Sequence, residues 1–400
     1  RSTISTRKRS CYFSKIMLNT GYFDGITGEY ATTKLGIYLI DNPTTVYNKD
    51  ENIITLNCYD LMAKLTDMRG GVLGVSETQF KAGQSIRDIV IHLIKLKGFE
   101  SYIIEIPPED TLQEDLCFDA SQTVYDVLCS FRNIYYPNYQ TYFDEDGVFR
   151  FYKIPTGESD AVTVGQDTFN KLCMSYSNSI NFEDVRNSVE VFGRTHEPDY
   201  YGTVVSINDD TYNIVCEELE GLEDITDVLI GIEINEAISN PKFNINETGA
   251  LPVVNSLGQP YTISELGYFV FLIQESDYLL VGNLQAYALV KDNNPESPFY
   301  VGSSIGELRL VLSGGDYDLI TTSELALNRA KYELYNHARL NDSLSILTVP
   351  ILYLEVYDLI EFKGFDGNVY KYMVQNINTP LDGSGQTLNV SRYYPDYTII

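Results

Sequence analysis

The stretch 321–400 constrains the fold more than any other part of the chain. Ala326, Ala330, Leu334 and Ala338 recur at steps of four, with Leu325 and Leu327 beside them. That spacing puts one apolar stripe on a helix over about 323–340. Thr321 and Glu324 stand at capping-box spacing ahead of it. The alternation then changes to a period of two over 344–354, 359–362 and 369–377, which suits strands and not a helix. Asp366-Gly367 marks one hairpin, and Asp382-Gly383-Ser384-Gly385 a longer connection. The expectation is one helix leading into a compact set of strands.

At 400 residues the chain is too long for a single ordinary core, so two to four domains are expected. A hydrophobic content of 44% is that of a globular chain. Its 32 tyrosines suit either wet protein contacts or plain β-sheet enrichment. The 28 basic and 56 acidic side chains leave a net charge of -28, which repels phosphate backbones and anionic membranes. No apolar run reaches transmembrane length, since 268–290 is broken by Glu275, Ser276 and Asp277. The start RSTISTRKRS lacks the apolar core of a signal peptide, and the absence of an initiator methionine leaves room for a preceding strand or two. Cys11, Cys58, Cys117, Cys129, Cys173 and Cys216 show no CxxC spacing and read as buried thiols of a reducing compartment.

Ahead of the C-terminal stretch, residues 1–67 read as β, with strands over 11–18, 30–40 and 53–58 and breaks at 25–28 and 41–43. CYDLMAKLTDMRGG holds a short helix stopped by Gly70-Gly71. Residues 84–97 form an amphipathic helix with Ile86, Ile89, Val90 and Leu93 on one face, ended by Gly98. A strand over 102–106 follows, and then a second helix starting at Thr123, with Asp126 three residues on, and ending before Pro137. YQTYFDEDGVFRFYKIP is a hairpin with Asp146-Gly147 at its tip. A short helix at 166–172 precedes the strand VRNSVEVFGR, and 201–320 is rich in short strands, Gly and acidic residues.

Few residues are candidates for chemistry. Asp144-Glu145-Asp146-Gly147 has the outline of a calcium loop. Counted from Asp144, however, the sixth position is Phe149 rather than Gly and the twelfth Pro155 rather than Glu, so a hairpin turn is expected. Glu217, Glu218, Glu220, Glu223 and Asp224 could hold a cation or supply a glycosidase pair, but read as a solvated acidic loop. His92 and His337 sit on helices as partly exposed residues, while His196, past a strand end beside Glu197 and Pro198, is the least easily dismissed as a base. No GxSxG, HExxH, P-loop or GxGxxG occurs, and Gly70, Gly71 and Gly74 read as turn residues. No catalytic, cofactor-binding or metal-ligating residue is assigned.

The runs RAKYELYNHARLNDSLSILTVPILYLEVYDLIEF and YKYMVQNIN, with LNVSRYYPDY at the end, resemble the closing barrel of phage tail baseplate hub proteins. That family also supplies the N-terminal part of tail-associated lysozymes and occurs in phage-like bacteriocin tails. Residues 58–65 resemble the strand and YD-LM turn that close the family's first barrel. Tyr142-Phe143-Asp144, Asp146-Gly147, Phe149 and Phe151 resemble its hairpin, and Asn187, Val191 and Gly193 the strand that opens its second barrel.

The resemblance implies a β-dominated α+β fold with two hub-type β-barrels, a small α/β domain between them, and a β-rich insertion in the second barrel. The boundaries are 1–71 for the first barrel, 72–160 for the α/β domain, and 161–200 plus 321–400 for the second barrel. The insertion at 201–320 is expected to be removable. Implied too is a homotrimer, a pseudo-sixfold ring that joins the hexameric tail tube and distal tail proteins to a spike, fibre or tape-measure protein. DNA would pass through its channel without specific binding. Such a protein is made in the bacterial host cytoplasm, ends in the virion tail, inserts in no membrane and is not an enzyme. The alternatives are the hub portion of a tail-associated cell-wall hydrolase and a cell-wall glycan-binding tail module.

Overall fold

The structure is a computed structural model that describes residues 15–394 apart from 25–28, 48, 50–51, 75–77, 114, 157–160, 222–224, 256, 265, 381 and 383. At the N-terminal end, β1 (Lys15–Asp24), β2 (Glu29–Tyr47) and β3 (Asn52–Tyr59) form a three-stranded antiparallel sheet with β2 in the centre. The break expected at 41–43 is a register shift between Ile40 and Pro43 inside the 19-residue β2, because a bulge absorbs the proline without ending the ladder. The middle of β2 is anchored, with Leu39 buried against Leu61 and Leu65 of the following turn. That turn is two 3-10 segments, Leu61–Lys64 and Asp67–Arg69. Asp60 caps the first and left-handed Gly70 ends the second. The turn expected at 25–28 and the first residues of the strand expected over 11–18 lie outside the described residues.

The α/β unit contains β4 (Thr78–Phe80), α1 (Ile86–Leu96), β5 (Tyr102–Ile104), β6 (Leu116–Phe118), α2 (Val124–Tyr135), β7 (Tyr139–Phe143) and β8 (Phe149–Lys153). Ser85 caps α1. The Thr123–Asp126 capping box expected for α2 is present in both directions. Apolar residues at helical spacing on α1 and α2 meet Phe80, Phe118, Phe149 and Phe151 in one core.

After α3 (Gln166–Leu172), strand β9 (Cys173–Asn181) leaves for the C-terminal sheet, and β10 (Ser188–Thr195) leads into a closed barrel. The barrel uses β11 (Tyr200–Asn208), β12 (Thr211–Val215), β13 (Val228–Ile234), β14 (Lys242–Ile245), β15 (Leu251–Val254), β16 (Gly267–Ile273) and β17 (Tyr278–Asn283). Their order is β11-β12-β14-β15-β17-β16-β13, closed by the parallel pairing of Tyr200–Gly202 with Ile230–Ile232. Tyr212, Phe271 and Tyr278 pack around Phe243 with ring centroids 4.7–5.6 Å away, filling the small interior with side chains. A Cβ on Gly202 would lie 2.7 Å from Ile214, so the seam needs that glycine.

The chain returns through β18 (Gln285–Lys291) and β19 (Arg309–Leu312), which flank β10 antiparallel and parallel respectively. Helix α4 (Ser323–His337) covers this sheet. Its Leu325, Ala326, Ala330 and Leu334 bury against Val189, Val191, Ala286 and Ala288. Finally β20 (Asn341–Thr348), β21 (Leu359–Lys363), β22 (Val369–Asn378) and β23 (Gln386–Arg392) build an antiparallel sheet in the order β21-β22-β23-β20-β9.

Several expectations are corrected. Among the described residues the one sheet that closes is the barrel at 200–283, inside the stretch expected to be an insertion. Among the described residues, the strands of 15–59 form an open three-stranded sheet, and 173–181 with 341–392 an open five-stranded one. Three strands cannot complete a barrel's shear and tilt. In the C-terminal sheet the two edge strands meet only through side chains, Tyr176 of β9 and Phe362 of β21, at 4.8 Å between centroids. The stretch 201–320 is not one insertion either, since β18 and β19 are partners of β10. The cap of α4 is Thr322, one residue after the expected Thr321. Thr321 is itself buried, while the Thr322 hydroxyl accepts from the Leu325 N–H. The strand expected over 344–354 ends at Thr348.

Candidate assembly surfaces

Two of the described sheets carry exposed apolar side chains along their edge strands. Strand β9 pairs along its length with β20 and forms the edge of its sheet. Met174, Tyr176 and Ile180 on it are exposed, and Phe182 just beyond is 67% exposed. In the N-terminal sheet, β1 and β3 are both edges, and Met17, Val46, Ile53 and Ile54 face solvent. Tyr47, where β2 ends, is 81% exposed, and Phe365, at the tip of the β21–β22 hairpin, 85%. Unpaired backbone flanked by apolar side chains is a template for pairing with another chain.

The residues weighed for chemistry are scattered. Asp144 is buried, and its carboxylate accepts from the Asp146 and Val148 N–H groups and from Arg150 Nε at 2.8 Å, so both oxygens serve the hairpin. Glu217, Glu218 and Glu220 are exposed around a 3-10 turn. Glu223 and Asp224 lie outside the described residues. Among the described residues no group of three His, Cys, Asp or Glu could hold a metal ion, and no helix is long and apolar enough to cross a membrane.

His92 is exposed on α1. His196 packs beside Gly282, with its Nε2 buried and without a hydrogen-bond partner. Burial and the nearby Arg194 charge hold its pKa below the usual imidazole value. His337 is bound into a charged network on α4. Its Nε2 lies 3.6 Å from Glu333, its Nδ1 3.2 Å from the Asp184 carbonyl, and Glu333 also pairs with Arg329 at 2.7 Å. The expectation of buried thiols holds only for Cys216. Cys117 points outward between buried Leu116 and Phe118, and Cys58 is exposed on edge strand β3. Cys11 lies outside the described residues. Gly71 has Leu65 backbone 2.1 Å from where a Cβ would sit, which supports the turn reading.

Two features were missed from sequence. Asn187 is fully buried, and its amide donates to the carbonyls of Phe299 and Gly306 at 2.8 Å each. Its place at the head of the Asn187, Val191, Gly193 pattern was legible in the sequence, but its burial and its carbonyl partners were not. The spacing of Arg329, Glu333 and His337 at steps of four was legible as a charged helix face, but not its burial by neighbouring elements.

A family model described as a domain of unknown function (DUF5048) matches residues 296–397, from the loop before β19 through the last strand. No curated protein matches the chain. Solved structures similar to it include three tail proteins. The 43 kDa tail protein of prophage MuSo2 from Shewanella oneidensis is 12% identical at a TM-score of 0.48, over 96% of this chain and 89% of that one. The tail protein from Neisseria meningitidis MC58 is 9% identical at 0.49, over 90% and 82%. Prophage tail protein gp18 from Listeria monocytogenes EGD-e is 10% identical at 0.45, over 95% and 85%.

Proposed function

We propose that the chain is a structural hub of a phage or phage-like tail baseplate, three copies of which form a ring between tail tube and spike or fibre. The observation that carries the reading beyond the sequence resemblance is the length of exposed apolar strand edge at two separate places, β9 and the β1–β2–β3 sheet. A closed ring of three needs a head-to-tail contact, hence two different complementary patches on each copy. Each copy would lay one edge of its N-terminal sheet, or the apolar face beside it, against β9 of the next. This removes the aggregation hazard of both. The open five-stranded sheet and the N-terminal sheet would then take the places of the two hub barrels, completed across the ring. The chain would divide into the N-terminal sheet, the α/β unit, a body built from the β18-β10-β19 sheet, α4 and the C-terminal sheet, and the closed barrel at 200–283 projecting from the ring.

The role is geometric and assigns no catalytic residue. The net charge of -28 suits a channel through which DNA passes without being held. The protein would be made in the host cytoplasm and end in the virion tail, against tube and distal tail proteins on one face and a spike, fibre or tape-measure protein on the other. Native mass spectrometry, with and without tube protein, tests this. A trimer that is lost in Tyr176→Lys and in Ile54→Lys is expected, and a monomer at high concentration under both conditions overturns the proposal.

A further inference from the structure

His196 sits where the closed barrel joins the rest of the fold. Its backbone N–H donates to the Leu284 carbonyl at 2.8 Å, so the segment that enters the barrel is tied to the segment that leaves it. Two further bonds tie the joint to the stretch leading into α4. The Arg194 N–H donates to the Ile320 carbonyl at 2.8 Å, and the Ser323 N–H to Asn283 Oδ1 at 3.0 Å. The imidazole closes on β17 from the same side as that stretch. A Cβ on Gly282 would stand 3.1 Å from His196 Nε2 and 2.9 Å from the Thr321 carbonyl oxygen.

The ring is placed there as a neutral group. Its Nε2 is buried and has no hydrogen-bond partner among the described residues. Gly282 of β17 and Thr321 ahead of α4 carry no charge. The acids of the adjoining segments, Glu197, Asp318 and Glu324, are exposed. The charge that bears on the ring is the Arg194 guanidinium, whose Nε donates to the Asp318 carbonyl at 3.1 Å. A proton added to the imidazole meets a like charge and, at Nε2, no acceptor. A buried charge without a partner favours any arrangement that returns it to water.

We propose that His196 makes the barrel joint open on acidification: the charged ring leaves its place against Gly282 for water, and the barrel loosens from the body while both stay folded. Burial and Arg194 hold the His196 pKa of the closed joint below 6.5, whereas a solvated ring in the open joint titrates near about 6.5. A depressed pKa means stabilisation that is full above 6.5 and lost as pH falls through the closed-state value. One proton is involved, so the open population rises by at most about tenfold per pH unit across that window. The inference does not rest on the hub reading, because the joint lies within a single copy.

Amide hydrogen exchange of the full chain, corrected for the intrinsic rate at each pH, would be compared between about pH 7.5 and about pH 5. Protection of the His196 and Ser323 amides should fall on acidification, while the β10–β18 and β13–β16 ladders keep theirs. In His196→Gln, whose side chain stays neutral, protection of the joint should not change with pH. The pKa of His196, followed by NMR in the native chain, should lie below 6.5, a measurement that needs no variant. Joint protection that is flat with pH, that falls together with both ladders, or that falls equally in His196→Gln would overturn the proposal, as would a His196 pKa at or above 6.5.

Discussion

The side-chain oxygen of Asn187 accepts a hydrogen bond from the backbone N–H of Leu308, 2.6 Å away and 121 residues further along the chain. The backbone of the same residue bonds Leu308 O and Asp292 N, so Asn187 ties both ends of the 292–308 loop to the root of β10. Three partly buried backbone groups depend on this one side chain. Asn187→Ala is expected to cost roughly 3 kcal/mol or more, at about 1 kcal/mol or more for each group left unpaired. Urea unfolding would measure it, and a loss under about 1 kcal/mol would mean that water replaces the amide.

Gly193 lies where β10 passes beneath the segment that enters α4. A Cβ there would stand 2.3 Å from the Ile320 carbonyl oxygen and 2.8 Å from Ala286. The near neighbour is backbone and cannot swing away. Gly193→Ala should therefore destabilise by about 1–3 kcal/mol through overpacking. A neutral change in thermal midpoint would show that the α4 entry can shift at no cost.

Leu334 is fully buried between α4 and the β10 sheet. Leu334→Ala should cost roughly 2–5 kcal/mol. Leu327 on the same helix is exposed, and its alanine variant should be close to neutral. Comparable losses at both positions would contradict this placement of the helix face.

The Glu333–His337 pair should make stability depend on pH in two windows. The hydrogen bond to Glu333 raises the His337 pKa above the usual 6.5 despite burial. A raised pKa means stabilisation that is full below 6.5 and lost as pH climbs through the folded-state value. Burial pushes Glu333 up, but His337 and Arg329 outweigh it and hold its pKa below 4.5. Its contribution is present above 4.5 and disappears as pH falls through the depressed value. Denaturation midpoints should thus decline as pH rises above 6.5 in the native chain, and His337→Gln should flatten that decline. An identical slope in the variant would assign the dependence to other groups.

Thr195 and Gln285 are register partners on β10 and β18, so the barrel enters and leaves the fold at one place. Replacing 196–284 with a short Gly/Ser linker should leave the β18-β10-β19 sheet and its α4 cover cooperatively folded, since closing a loop between adjacent ends costs little. A cut at 206–314, natural if 201–320 were one insertion, removes both neighbours of β10 and should abolish cooperative unfolding. Thermal scans by circular dichroism would compare the two deletions. A broad, non-cooperative melt of the first would mean that the barrel supports the sheet it hangs from.

Local chemistry was enough to read α1, α2 and α4, the Thr123–Asp126 box, the Asp146-Gly147 and Asp366-Gly367 turns, and the alternating strands of the C-terminal sheet. Each of these is decided by residues within a few positions of one another: an apolar stripe, a cap, a glycine at positive φ. A period of two shows which side chains of a strand share a face, but not which strand lies beside it. The neighbours of β10 are 90 or more residues away along the chain, and the barrel closes through a parallel pairing of β11 with β13 that no hairpin turn announces. Only tertiary structure could place the closed barrel at 200–283, leave the described N-terminal strands as an open sheet, and bury Asn187. Those outcomes depend on long-range pairing and packing, in which the loop-closure entropy is offset only when the whole set of contacts forms together.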